Sequence, residues 1–157
     1  MRSIILAAAL AVAGAAAAQP PANVTVAIGP ELQAKASLYG QRDLDQLADE
    51  LRHDVERALA RSHQNVQLKL VLADAKPNRP TFKQLGDTPG LSMQSFGVGG
   101  ATIEGVATRP DGSTEPVHYR WYESDIRQAR HNSTWGDAGW TFQQFADNVA
   151  HGRFAER

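Results

Sequence analysis

Between residues 43 and 59 the apolar side chains Leu44, Leu47, Ala48, Leu51, Val55, Ala58 and Leu59 recur at spacings of three and four. On a helix of 3.6 residues per turn they fall into one stripe, with Asp49, Arg52, His53, Glu56 and Arg57 on the opposite side. A helix with so long a stripe gains little stability from its own backbone and must lie against a broad apolar surface. Asp43 followed by Gln46 predicts its start as a capping box, with Asp standing in for Ser or Thr.

The flanking segments predict that surface to be a sheet. Val66, Leu68, Leu70 and Leu72 alternate with Gln67, Lys69 and Val71, the period of a half-buried strand. Val24 to Ile28 reads as an earlier strand stopped at Gly29, and Pro30 to Leu38 as a short helix stopped by Gly40. After a long connection, 76–94, broken by Pro77, Pro80, Pro89 and Gly90, Phe96 to Thr108 reads as a strand with glycines at its start. Those glycines, Gly97, Gly99 and Gly100, predict a bulge or a close approach of backbones. Arg109-Pro110-Asp111-Gly112-Ser113 is a turn, and Pro116 to Glu123 is a last strand with Val117, Tyr119 and Trp121 on one face. A final helix runs from about Asp137 to His151, with Ala138, Phe142, Phe145, Ala146 and Val149 as its stripe. The expected class is α+β, a two-layer sandwich in the order β-α-β-β-β-α. Its sheet is mostly antiparallel, with the helices on one face and Lys69, Glu104 and Arg120 as cross-strand charge partners on the other.

Residues 1–18 read as a cleavable signal peptide: Arg2, then an apolar stretch from Ile4, then small residues ending at Ala18. Residues 19–157 then form a single α/β domain, periplasmic or secreted. The chain has no cysteine, so a disulfide framework, a thiolate metal site and a lipid anchor are all excluded. No second apolar run predicts a membrane span. A net charge of −1 without a basic stripe speaks against a nucleic-acid partner.

The residues of catalysis are present but not in catalytic spacing. The five histidines, His53, His63, His118, His131 and His151, have neither the i, i+4 nor the H-x-H spacing of a metal site. Ser92, Ser95 and Ser133 lack the glycine-flanked turn of a serine nucleophile. Gly97-Val98-Gly99-Gly100 enters a strand without the helix and lysine of a phosphate loop. No metal and no cofactor is therefore expected.

Gly99-Gly100-Ala101-Thr102-Ile103-Glu104-Gly105 with Asp111-Gly112 behind it, and Thr134-Trp135-Gly136-Asp137-Ala138 followed by Phe142 and Phe145-Ala146, together resemble a known pattern. With the signal segment and the long helix, they are similar to a group of uncharacterised exported bacterial envelope proteins, a domain of unknown function found often in lipoproteins. The resemblance implies an exported α/β domain and carries over no functional residue. The missing lipid-bearing cysteine sets this chain apart from the anchored members.

If the last three strands are antiparallel neighbours, the 76–94 and 124–136 connections meet at one end of the sheet. They would bring Arg79, Phe82, Lys83, Arg127, Arg130, His131 and Trp135 together beside Lys76, with Asp87 and Asp125 as partial offsets. So long a connection is functional or folded on itself. Either the patch binds an envelope protein or an anionic polymer, or Phe82, Leu91 and Trp135 pack their own loops and the charges are solvated. Replacing Arg79 and Arg127 by Ala is expected to leave folding intact. The function expected is that of an exported soluble envelope protein, a non-catalytic interaction module. The alternative is a periplasmic hydrolase with an acid and base drawn from loop carboxylates and His131.

Overall fold

In the computed structural model, which describes residues 23–155, nine elements follow one another. They are β1 (Asn23–Ile28), α1 (Pro30–Ala34), α2 (Ala36–Tyr39), α3 (Gln41–Ser62), β2 (Gln67–Lys76), α4 (Phe82–Asp87), β3 (Gly100–Thr108), β4 (Thr114–Tyr122) and α5 (Gly136–Ala150). Residues 1–18, which the sequence reads as a signal peptide, lie outside the described residues. The four strands form one sheet in the order β1-β2-β3-β4; β1 runs parallel to β2, and β2, β3 and β4 are antiparallel. The class is α+β, as the periodicity predicts.

The stripe of α3 does lie on this sheet. Leu44, Leu47, Leu51, Val55, Ala58 and Leu59 are buried, α3 covers β1, and α5 covers β3 and β4 on the same face. The two helices also pack on each other. Phe142 and Phe145 of α5 fill the layer between them and Leu70, Ile103 and Tyr119 of the sheet. Each such side chain stabilises the fold by about 1.5–3 kcal/mol. Removing one large ring, as in Phe142→Ala, costs about 3–5 kcal/mol because a cavity remains.

Several boundaries differ from those the sequence predicts, each for a local reason. Helix α3 begins at Gln41 with Gly40 as its N-cap, at φ 96°, where only glycine sits without strain. Asp43 is therefore inside the first turn, and no capping box with Gln46 forms. The short helix from Pro30 is two, α1 and α2, meeting at Lys35, which closes the first and opens the second. Strand β3 begins at Gly100, not Phe96, because the preceding backbone bonds elsewhere: Gly97 N–H donates to the Asn78 carbonyl at 2.8 Å and Gly99 N–H to Asp137 Oδ2 at 2.9 Å. The 76–94 connection contains α4, opened by a capping box in which Thr81 and Gln84 each accept the other's backbone N–H. The expected Lys69–Glu104–Arg120 ladder does not form. The register sets Lys69 opposite Val106, Glu104 opposite His118 and Arg120 opposite Thr102. Arg120 lies instead over the Tyr122 ring, 5.2 Å from its centroid.

Candidate functional site

Lys76, Gly100 and Tyr122 stand side by side at one end of the sheet, so the connections 77–99 and 123–135 do emerge together. What joins them is a buried acid. Asp137, in the first turn of α5, has no exposed surface. Its Oδ2 accepts from Asn78 Nδ2 at 2.5 Å and from Gly99 N–H at 2.9 Å, and its Oδ1 accepts from Arg130 N–H at 3.0 Å. Burial, the largest single influence, works to raise its pKa. The donors from Asn78, Arg130 and Gly99 together outweigh it and hold the carboxyl below its ordinary value. The positive end of α5 favours the same charged form.

Arg79 spans the two connections: its Nε donates to the His131 carbonyl and its guanidinium to the Met93 carbonyl. His131 is half-buried, stacked on Phe96 at 4.2 Å between ring centroids, and its Nδ1 donates to the Ala129 carbonyl at 2.8 Å. Arg130 is clamped between the Trp121 and Trp140 rings and pairs with Glu123 at 3.8 Å and Asp137 at 3.5 Å. Trp135 is half-buried, edge-on to Tyr39, and donates its Nε1–H to Asp43 at 3.1 Å. Lys83 pairs with Asp87 at 2.7 Å across one turn of α4. Arg127 stands apart, 84 % exposed, and pairs with Asp125 of its own turn at 2.6 Å. That guanidinium holds the Asp125 carboxyl below its usual range.

Two clefts open beside this cluster. One of about 590 Å³ lies between Tyr39, Arg42 and Asp43, Phe82 and Lys83 of α4, and Trp135. The other, of about 420 Å³, lies between α3 and α5 and is lined by Arg130, Ser133, Trp140 and Gln143. Glu50, Thr134 and Trp135 border both. Glu50 is an exposed residue, but its carboxyl oxygen lies beside Gly139 of α5. Burial there, and then the charge of Asp54, raises its pKa. Among the described residues no three His, Asp or Glu side chains gather in a way that could hold a metal ion.

Phe82, on α4, is 84 % exposed and so does not pack its own loop, whereas Leu91 and Trp135 are half-buried, Trp135 against Tyr39 of α2. The described residues leave six large apolar side chains exposed: Leu38, Phe82, Met93, Phe96, Val106 and Ile126. All but Val106 belong to α2, α4 or the two connections, and α2 packs against α4. A shallow recess of about 310 Å³ between Tyr39, Pro77, Pro80, Leu91 and Phe96 adjoins them. Sequence reasoning missed Asn78, Asp137 and Glu50 as parts of this end. The only signal for the first pair was a polar residue between two prolines and an acid at a helix start.

The fold and its loop end thus define a two-layer α+β domain in which five of the six exposed large apolar side chains among the described residues belong to α2, α4 or the two connections. Compared with protein-family models, with curated proteins and with solved structures, the chain matches none.

Proposed function

We propose that the protein is an exported, non-catalytic interaction module that docks another envelope protein through the loop end of its sheet. The observation that supports this most is the concentration of exposed apolar side chains, Phe82 foremost, at that end. Scattered apolar residues are normal on a surface, but a cluster of them favours a contact. The partner surface it fits is apolar and near neutral in charge. An anionic polymer fits less well, because Lys83, Arg127 and Arg130 already face Asp87, Asp125, Glu123 and Asp137. The hydrolase reading finds one supporting group, Glu50 in its cleft. His131 spends its Nδ1 on a carbonyl, and among the described residues no carboxylate hydrogen-bonds to it.

The test is crosslinking in the intact envelope followed by capture of the protein, run in parallel with Phe82→Asp and Phe96→Asp. Partners held by the wild type and lost from both variants support the reading; identical partners on all three overturn it. Export has its own measurement. The protein should fractionate with the periplasm or the medium and begin at Gln19, and an intact amino terminus in the cytoplasm refutes it.

A further inference from the structure

A four-stranded open sheet has two edges, and this one treats them differently. Along β4, Pro116 offers no N–H, His118 N–H donates to the Phe154 carbonyl at 3.2 Å, and Ala155 bridges His118. The chain's own tail, anchored by buried Phe154, covers that edge. The β1 edge has no such cover. Among the described residues nothing pairs with its outer side, and Asn23-Val24-Thr25-Val26-Ala27-Ile28 contains no proline, no charge and no bulge. A strand that is β-branched, uncharged and unpaired is a template for another strand unless it is guarded. Its core-facing row is also unfinished: Val24 is buried, but Val26 and Ile28 are only partly so.

We propose that β1 pairs antiparallel with β1 of a second copy of this chain, making one continuous sheet across a two-fold axis. The occupant follows from the strand's own pattern. Residues directly opposite in an antiparallel pair must point to the same face, so the axis has to pass through a residue rather than between two. Centred on Val26, it sets Val26 against itself and Val24 against the second copy's Ile28 on the helix side. It sets Thr25 against the second copy's Ala27 on the solvent side, where both are exposed. All core-side pairs are then apolar and β-branched, side chains that suit a half-buried pleated surface, and no like charges meet. A closed two-fold dimer uses up both copies' free edges. This surface is separate from the loop end and does not depend on it.

Sedimentation velocity of the purified protein from about 1 µM to about 1 mM should show a reversible monomer–dimer equilibrium. Thr25→Lys with Ala27→Lys places two like-charged pairs across the axis and should weaken the dimer about ten-fold. Thr25→Lys with Ala27→Glu places opposite charges there and should restore it. Both positions are exposed, and circular dichroism confirms that each variant is folded. A wild type that stays monomeric throughout overturns the proposal. So does a Lys/Lys variant that dimerises like the wild type, or a Lys/Glu variant no tighter than Lys/Lys.

Discussion

Asn78 and Asp137 hold each other from both ends: the Asn78 amide donates to the Asp137 carboxylate at 2.5 Å, and the Asp137 backbone N–H donates to Asn78 Oδ1 at 2.8 Å. The same Asn78 also donates to the Gly97 carbonyl at 3.0 Å, and its backbone N–H reaches the Thr134 carbonyl at 2.7 Å. Three separate segments of the loop end are thereby fixed to one buried pair. Removing either side chain leaves desolvated polar groups unmatched. Asn78→Ala and Asp137→Ala should each lower unfolding free energy by about 3 kcal/mol, read from urea melts. The double variant should cost much less than the sum of the two.

The Asp137 carboxyl also sets an acid limit on stability. Its folded pKa lies below the unfolded value, so its contribution is present above about pH 4, where the unfolded carboxyl is ionised. That contribution fades as pH falls through the folded pKa. Wild-type stability should therefore drop faster than that of Asp137→Asn below about pH 4, and the gap between the two should narrow. A gap that stays constant down to about pH 2 would mean that Asp137 is not the titrating group.

What the sequence made legible here was periodic. The stripes of α3 and α5 and the alternation in β2 place the core and the sheet, because burial repeats at the helix or strand period and needs no knowledge of partners. The loop end is not periodic. Asp43 looks like a helix cap, yet it accepts from Trp135, 92 positions along the chain. Asn78 and Asp137 are 59 apart, and only the folded sheet end brings them together. The predicted basic patch was right about which loops meet. It could not show that Arg79, Lys83, Arg127 and Arg130 would be used up by neighbouring carboxylates and carbonyls.

The three glycines before and at the start of β3 should not behave alike. Gly97 has open space where a Cβ would sit, so Gly97→Ala should leave stability within about 0.5 kcal/mol. Gly100 has φ 147°, and a Cβ there would run into the Trp121 carbonyl and the Tyr122 backbone of β4. Gly100→Ala should cost about 3 kcal/mol or more, seen as a lowered melting midpoint, since neither strand can retreat without breaking the ladder.

Phe82 separates a folding role from a binding role. With most of its ring in water it contributes little to the core, so Phe82→Ser should change the unfolding free energy, read from urea melts, by no more than about 0.5 kcal/mol. A loss of about 2 kcal/mol would mean that the ring packs on α2 in solution, and would remove the main support for a docking surface.

Arg79 and Arg127 carry the same charge in neighbouring loops but do different work. Arg127 touches only Asp125 of its own turn and is open to water, a pairing that contributes close to nothing. Arg127→Ala should leave the melting curve unchanged. Arg79 is half-buried and holds one carbonyl from each connection, Met93 on one and His131 on the other. Its loss strands two acceptors and releases the Phe96–His131 stack from one of its restraints. Arg79→Ala should therefore lower stability by about 1–2 kcal/mol, against the sequence-based expectation that both exchanges are harmless. Hydrogen exchange gives the sharper reading. Amides between residues 92 and 97 should lose protection in Arg79→Ala while those of β2 and α3 keep theirs, because only the strap between the two connections has been cut.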